Sequence, residues 1–148
     1  MKKILKLSLI FSLLIFTLVA CDKAYKRILF KVETGDNINV ILNTDDGYNM
    51  TTELPIEFTK NEEVVGNGIF ITLDTYAKYE DIINKDNKST IIESGDKNGV
   101  HYIFYNFDNR EYNYIMKIDN SNTGFILGNP NSQDSAEECF GRLTFSKE

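Results

Sequence analysis

The single histidine and the two cysteines are the residues of this chain whose side chains are best suited to a reaction or a covalent attachment. An imidazole acts as a general base near neutral pH, and a thiol acts as a nucleophile or an acyl acceptor. His101 falls within the apolar run Val100–Phe107, which we interpret as a central strand. Because no second histidine, metal-ligand set or nucleophile motif accompanies it, we expect His101 to be structural or partly exposed rather than catalytic.

Cys139 lies on a predicted helix with Ala136 and Phe140 on the same apolar face. A cysteine in such surroundings behaves as a small hydrophobic side chain, so we expect it to pack in the core. The alternative is a small extracytoplasmic enzyme of the hydrolase type that uses His101 or Cys139. That alternative requires a cleft in which one of these side chains meets carboxylates.

Acidic residues cluster in three predicted turns, which raises the question of a cation site. Asp119–Gly124 has the beginning of a calcium loop, but its twelfth position, where an EF-hand needs a bidentate glutamate, is Pro130. The pairs Asp45-Asp46 and Glu62-Glu63 are typical of solvated turns. We therefore predict no metal and no cofactor. The sequence contains no GxSxG, P-loop, GxGxxG, HExxH or CxxC motif.

Eight tyrosines form the most distinctive residue class of the chain. Rings with a polar tip suit the binding of peptides, glycans or apolar ligands, but in strands they also cover half-buried sheet faces. Four tyrosines lie on strands that we expect to be neighbours and could line one surface. This possible binding surface comprises Tyr102, Tyr105, Tyr112 and Tyr114.

The first 20 residues have the pattern of an export signal. Lys2, Lys3 and Lys6 form a basic patch, and the 14 residues from Leu7 to Ala20 carry no charge. A transmembrane helix is the weaker interpretation, because crossing the hydrocarbon core takes about 20 apolar residues. A buried core helix is weaker still, since the run has no polar face.

The end of the apolar run, Leu18-Val19-Ala20-Cys21, resembles the lipobox of bacterial lipoprotein precursors. The resemblance covers the first 21 residues and implies that the Cys21 thiol receives a diacylglyceryl group. It also implies cleavage between Ala20 and Cys21. The mature protein would then be lipid-anchored to the cell membrane on its extracytoplasmic face. In bacteria with two membranes, Asp22 after that cysteine resembles an inner-membrane retention signal.

The composition after residue 20 is that of one small acidic domain. Of the 16 basic residues, three lie in the leader, which leaves 13 against 22 acidic residues and a formal charge of −9. We identify no basic stripe in the sequence, so nucleic acid is an unfavourable partner. With Cys21 acylated, Cys139 has no disulfide partner. We assign residues 1–20 to the signal peptide, 21–26 to a lipidated tether and 27–148 to a single domain.

Short β-rich runs alternate with turn clusters along this domain. A first helix is predicted with Asp74 as its N-cap and Tyr76, Tyr79 and Ile83 on one face. A second helix begins at Asp134-Ser135-Ala136-Glu137, which has capping-box spacing. The fold class is therefore α+β: an antiparallel sheet with a C-terminal three-strand meander, packed by two short helices. The strands are predicted at 28–32, 38–43, 48–54, 56–59, 69–73, 91–94, 100–107, 112–118 and 124–127, followed by a short apolar tail at 143–145.

This order of elements, with a last helix ending before Leu143-Thr144-Phe145, is similar to the PsbP-like α/β/α sandwich family. The run from Gly47-Tyr48 to Pro55 resembles the early strand of that family, and the similarity covers most of residues 45–145. The resemblance implies no shared catalytic residues.

The resulting functional hypothesis is a non-enzymatic, membrane-tethered lipoprotein that presents one small domain to a protein or small ligand. The small hydrolase described above is one alternative. A carrier of a ligand or metal is the other.

Overall fold

The computed structural model describes residues 23–148, so Ala20 and Cys21 lie outside the described part of the chain. Within it the chain forms ten strands, one 3-10 turn and two α-helices. In chain order these are β1 (Tyr25–Lys31), β2 (Asn37–Asn43), the 3-10 turn (Asp45–Gly47), β3 (Tyr48–Met50), β4 (Ile56–Lys60), β5 (Glu63–Thr72), α1 (Leu73–Lys85), β6 (Ser89–Lys97), β7 (Val100–Phe107), β8 (Glu111–Ile118), β9 (Thr123–Asn129), α2 (Gln133–Gly141) and β10 (Leu143–Lys147).

The strands form two sheets rather than the single predicted sheet. The larger sheet has the order β3-β4-β5-β9-β8-β7-β6, and all its neighbours are antiparallel. The smaller has the order β1-β2-β10, also antiparallel. The predicted apolar tail is in fact β10, which pairs with β2 because Leu143 and Phe145 are both buried on one face of it.

Both faces of the large sheet are covered, as the two-sided apolar pattern of β7 predicts. Val100, Tyr102 and Phe104 contribute to a core beneath α2 and the small sheet. Ile103 and Tyr105 point the other way, into a second core beneath α1. The layers are thus α1, the large sheet, and α2 together with the small sheet. The architecture is mostly β, and β7 is second from the sheet edge rather than central.

The helices begin at different caps from those predicted. The Thr72 hydroxyl accepts a hydrogen bond from the Thr75 backbone N–H at 3.1 Å, so Thr72 is the N-cap of α1 and Asp74 lies in its first turn. In α2 the cap is Ser132, whose hydroxyl accepts from the Ser135 N–H at 3.1 Å. In both cases the chain uses a hydroxyl cap just before the predicted start.

Several strand bounds also differ from the prediction. β1 begins at Tyr25, with Tyr25 opposite Asn43 and Lys26 opposite Leu42, so the predicted tether is too long by two residues. β5 spans ten residues and extends the predicted strand at 69–73 backwards through Asn67-Gly68. Gly68 is required there because a Cβ would lie 2.2 Å from the ring of Phe125 on β9.

The Asp36 clasp, formed by Asp36, Asn122, Thr123 and Lys147, joins two turns and β10 at one end of the small sheet. The Asp36 side chain is only 6% exposed. One carboxylate oxygen accepts from the Asn122 N–H at 2.7 Å and the Thr123 hydroxyl at 2.8 Å. The other faces Lys147 Nζ at 2.8 Å. The buried charge is therefore fully partnered, and it binds the β1–β2 turn to the β8–β9 turn and to β10.

Replacing Asp36→Asn should destabilise the fold by about 2 kcal/mol, because the substitution removes the charge that Lys147 and Asn122 are oriented to meet. Urea denaturation measures the change. Asp119→Asn is the matched control: Asp119 is exposed in the neighbouring turn, and its replacement should alter stability by less than about 0.5 kcal/mol. Equal effects of the two substitutions would contradict the clasp.

The same clasp predicts a pH dependence. The hydrogen bond from Lys147 is the largest influence on the Asp36 carboxyl and lowers its pKa from 3.8 to about 2, against the effect of burial. A depressed pKa stabilises the folded state above the ordinary carboxyl pKa, and this stability is lost as the pH falls from about 4 through about 2. The stability difference between wild type and Asp36→Asn should therefore be largest at pH 5 and above and should shrink towards pH 2.

Candidate functional site

The four tyrosines predicted as one binding surface do not lie on one surface. Tyr102 and Tyr114 are buried beneath α2, where their ring centroids lie 4.9 Å and 4.3 Å from that of Phe140. Tyr112 is partly buried at the margin of the same core. Tyr105 is buried on the opposite face, under α1. The alternation of β7 separates Tyr105 from the others, and packing covers the rings that share a face. These tyrosines are core residues.

His101 forms a polar pair at the edge of the large sheet. Its Nδ1 lies 2.9 Å from a carboxylate oxygen of Asp96, which stands opposite it on β6. Both side chains are exposed, as predicted for a partly exposed histidine. The alternation of β7 places His101 on the α1 side of the sheet, with Ile103 and Tyr105.

Cys139 is buried beneath the other face of the sheet, and the prediction that it packs in the core is confirmed. Burial raises the pKa of its thiol to about 12, and neighbouring Glu138 contributes to this rise. Because the thiolate is the reactive form, this cysteine is held in an unreactive state. The sheet separates it from His101, so these two residues do not share a cleft.

Two of the three acidic turns make intramolecular contacts through their side chains, and Glu62 and Glu63 of the third are exposed. An Asp45 carboxylate oxygen accepts from the Ala24 N–H, and Asp46 pairs with Arg142. The Asp119–Gly124 turn is fixed by the Asp36 clasp and by the Ser121 hydroxyl, which donates to the Ile118 carbonyl at 2.9 Å. Across residues 23–148, no group of three or more histidine, cysteine, aspartate or glutamate side chains could hold a metal ion.

The most extensive polar arrangement in the described chain is centred on Arg142, at the junction of α2 and β10. Its guanidinium donates to the Asp45 carbonyl at 2.9 Å, to Asp46 at 2.5 Å and to Glu138 at 3.2 Å. It also lies over the Tyr48 ring, 4.3 Å from the centroid. Sequence reasoning missed this Arg142 network. Only the i,i+4 spacing of Glu138 and Arg142 could have suggested it.

Lys60 completes the network, with its Nζ 3.0 Å from Glu138. The hydrogen bond from Lys60 is the largest influence on the Glu138 carboxyl and lowers its pKa, as do bonds from Arg142. The buried Tyr48 hydroxyl has no hydrogen-bond partner within bonding distance, and desolvation raises the pKa of that phenol. Every charge here meets an opposite charge, so the network fastens α2 and β10 to the 3-10 turn and β4.

The outer side of β1 gathers basic side chains that the sequence analysis did not single out. Arg27 and Lys31 alternate with Tyr25 and Leu29 on β1, Lys23 lies two residues before the strand, and all five are exposed. This contradicts the interpretation that the chain has no basic stripe. The signal was available, because residues 23–31 hold four basic side chains and no acidic one. The alternation of a strand then separates inward-facing Lys26 from the three that share the exposed side. We call these five residues the β1 face.

A cavity of about 260 Å³ lies between the far end of β1 and the second half of β5. It is lined mainly by apolar side chains, including Val32, Leu54, Ile69 and Phe70. β4 pairs with β5 only as far as Gly68, so this stretch of β5 has β9 on one side and the cavity on the other.

Comparison with known proteins yields no relative: no family model, no curated protein and no solved structure matches the chain. The similarities to lipoprotein precursors and to the PsbP-like family therefore stay predictions. Within residues 23–148, neither helix is long and apolar enough to cross a bilayer.

Replacing Arg142→Met should cost about 2 kcal/mol of unfolding free energy, because Asp46 and the Asp45 carbonyl lose their partner at a side chain that is only 15% exposed. Denaturant unfolding is the measurement. Arg110→Met provides the control, since that side chain is 81% exposed and its nearest acidic oxygen is 3.9 Å away. An Arg142 variant no less stable than the Arg110 variant would show that the network contributes nothing.

Proposed function

We propose that this chain is a bacterial lipoprotein that presents a small non-enzymatic interaction domain on the extracytoplasmic face of the cell membrane. One observation carries the proposal: the sequence Leu18-Val19-Ala20-Cys21 stands directly after a basic patch and an uncharged apolar run. Acylation of Cys21 supplies the anchor. Each buried methylene contributes about 0.8 kcal/mol, and two or more chains give stable attachment where one does not.

The start of the folded domain supports this proposal. β1 begins at Tyr25, and Ala24 is already held, with its carbonyl accepting from the Thr44 N–H at 2.8 Å. Only three residues separate Cys21 from the first strand. Cys139 is enclosed in the core, so the other cysteine of the chain does not compete for acylation. We also propose that the predicted three-strand meander is β7-β8-β9, since each of these strands pairs with the next.

Two features favour an interaction domain over the hydrolase. The raised pKa of the Cys139 thiol opposes nucleophilic attack, and the large sheet separates Cys139 from His101.

The anchor is tested by Cys21→Ala in a cell that makes the full chain. The variant should lose labelling by a fatty-acid analogue and should leave the membrane fraction, because the acyl acceptor is gone. Cys139→Ala is the matched control; it should keep both the label and the membrane attachment. A Cys21→Ala protein that is still labelled and membrane-bound would overturn the proposal.

A second candidate, a carrier of a small apolar ligand, is favoured by the cavity beside β5. A volume of about 260 Å³ fits a short acyl chain. Calorimetric titration with octanoate should then show binding, and Ile69→Trp, which fills the cavity, should abolish it. Ile82→Trp on exposed α1 is the control and should bind as wild type does. A flat titration of the wild-type protein would exclude this function for ligands of that size.

A further inference from the structure

We infer that the β1 face is a docking surface for a membrane rich in anionic lipid headgroups. The inference rests on the proposed lipid anchor and deepens it, because it states which side of the domain lies against the bilayer. Its basis is the juxtaposition of a very short tether with an exposed strand face on which Lys23, Arg27 and Lys31 stand together.

The tether fixes where the membrane can be. Residues 22–24 are all that separates Cys21 from β1, so the Cα atoms of Cys21 and Tyr25 are at most about 14 Å apart. β1 is itself about 20 Å long from Tyr25 to Lys31. The whole strand therefore lies within reach of the headgroup layer when the domain tilts onto its β1 side.

The side chains of the β1 face suit contact with an anionic membrane surface. Lys23, Arg27 and Lys31 bring three positive charges, and Tyr25 and Leu29 between them are 60% and 47% exposed. Among the described residues, no ion pair involves any of the three basic side chains. Basic side chains attract an anionic leaflet, and interspersed tyrosine and leucine suit the interfacial region. Lys26, by contrast, turns inward and donates to the Met50 carbonyl at 2.6 Å.

The strand positions that flank the β1 side chains on the small sheet's outer surface carry no opposing charge, and the nearest acid on that surface is Glu148, which follows β10 and whose N–H donates to the Asn37 carbonyl opposite Lys31. Cross-strand partners share a face, so the register shows what surrounds the β1 side chains. These neighbours are Asn37, Asn39, Ile41 and Asn43 on β2, with Thr144 and Ser146 on β10. None is acidic. Glu33 follows Lys31 in the β1–β2 turn, at the end of β1 farthest from Cys21.

The net charge of the mature chain favours the same orientation of the domain on the membrane. A formal charge of −9 repels an anionic surface, so the domain is pushed away from it everywhere except where positive charge is gathered. The three positive charges of the β1 face lie directly beside the anchor. One lipid-modified residue and one basic face together constitute two membrane signals.

The chain contains no tryptophan, so a single introduced indole reports the docking without background. Leu29→Trp places it well beyond the tether along β1, where proximity to lipid requires the domain to lie on this face. The lipidated mature protein is reconstituted into vesicles of two parts phosphatidylcholine to one part phosphatidylglycerol, or of phosphatidylcholine alone. Brominated acyl chains serve as the quencher. We expect about twofold or greater quenching in the anionic vesicles and little in the neutral ones, and the quenching should fall with added salt.

Charge reversal isolates the basic side chains. Arg27→Glu with Lys31→Glu, added to Leu29→Trp, should abolish the quenching while circular dichroism shows the fold intact. The matched control is Lys88→Glu with Lys97→Glu, which changes the net charge equally at exposed positions beside and on β6. A second indole control, Tyr79→Trp on α1, should stay unquenched.

The outcomes separate the two proposals. A protein that takes up no fatty-acid label refutes the lipid anchor itself. The docking surface is overturned, and the anchor left standing, by a labelled Leu29→Trp protein whose indole is unquenched. The same conclusion follows if that indole is quenched equally in neutral vesicles and after charge reversal of Arg27 and Lys31.

Discussion

The constraint on which this fold depends is that three neighbouring strands of the large sheet, β7, β8 and β9, are apolar on both faces. β7 alternates between two cores, with Phe104 buried on one side and Ile103 on the other, and β8 and β9 continue the pattern with Met116, Ile115 and Phe125. A sheet of this kind needs a cover on each side. One cover is α1. The other is wider, and α2 alone is too short to supply it, so the chain adds a second sheet made from its first two described strands and its last.

The core is closed by strands from both ends of the described chain, and the last of these, β10, is held at its two ends by ion pairs. Arg142 stands just before β10 and Lys147 at its last residue, and each is held by carboxylates. Arg142 meets Asp46 and Glu138, and Lys147 meets the buried Asp36. Five residues of strand are thus fixed at both ends, one end to α2 and the 3-10 turn and the other to the β1–β2 and β8–β9 turns. Hydrophobic burial is non-directional, whereas these contacts specify how the small sheet sits on the large one.

The parts of this structure that follow from local pattern were predictable from the sequence. The alternation in Val100–Phe107 predicted two covered faces, and the helical spacing of Ala136, Cys139 and Phe140 predicted a buried cysteine. The second sheet was not predictable in the same way. β10 pairs with a strand about 100 residues earlier, and a five-residue apolar run says nothing about its partner. Both caps were missed by two residues because Thr72 and Ser132 compete with nearby aspartates of similar capping strength.

The candidate sites show the same division. Tyr102, Tyr105 and Tyr114 were grouped as a surface because neighbouring strands bring them close. Whether a ring is exposed depends instead on which face of the sheet it points to and on the element that packs over that face. The β1 face was missed although its basic residues stand close together in the sequence, because only the structure shows that they share one exposed side while Lys26 faces inward. Long-range polar partners such as Asp36 and Lys147 carry no sequence signal, because their distance along the chain is unrelated to their distance in space.

The order of the layers also determines which surface of the domain faces away from the bilayer. The small sheet and α1 cover opposite faces of the large sheet, so a domain that lies on its β1 face turns α1 away from the bilayer. The α1 side carries exposed apolar groups beside the sheet edge, namely Tyr79 and Ile82 on the helix and Ile91 and Ile92 on β6. β6 is also an edge strand of the large sheet. Exposed apolar side chains next to an unpaired strand edge are typical of surfaces that bind other proteins. Docking through β1 would therefore leave that edge on the side of the domain that faces away from the membrane.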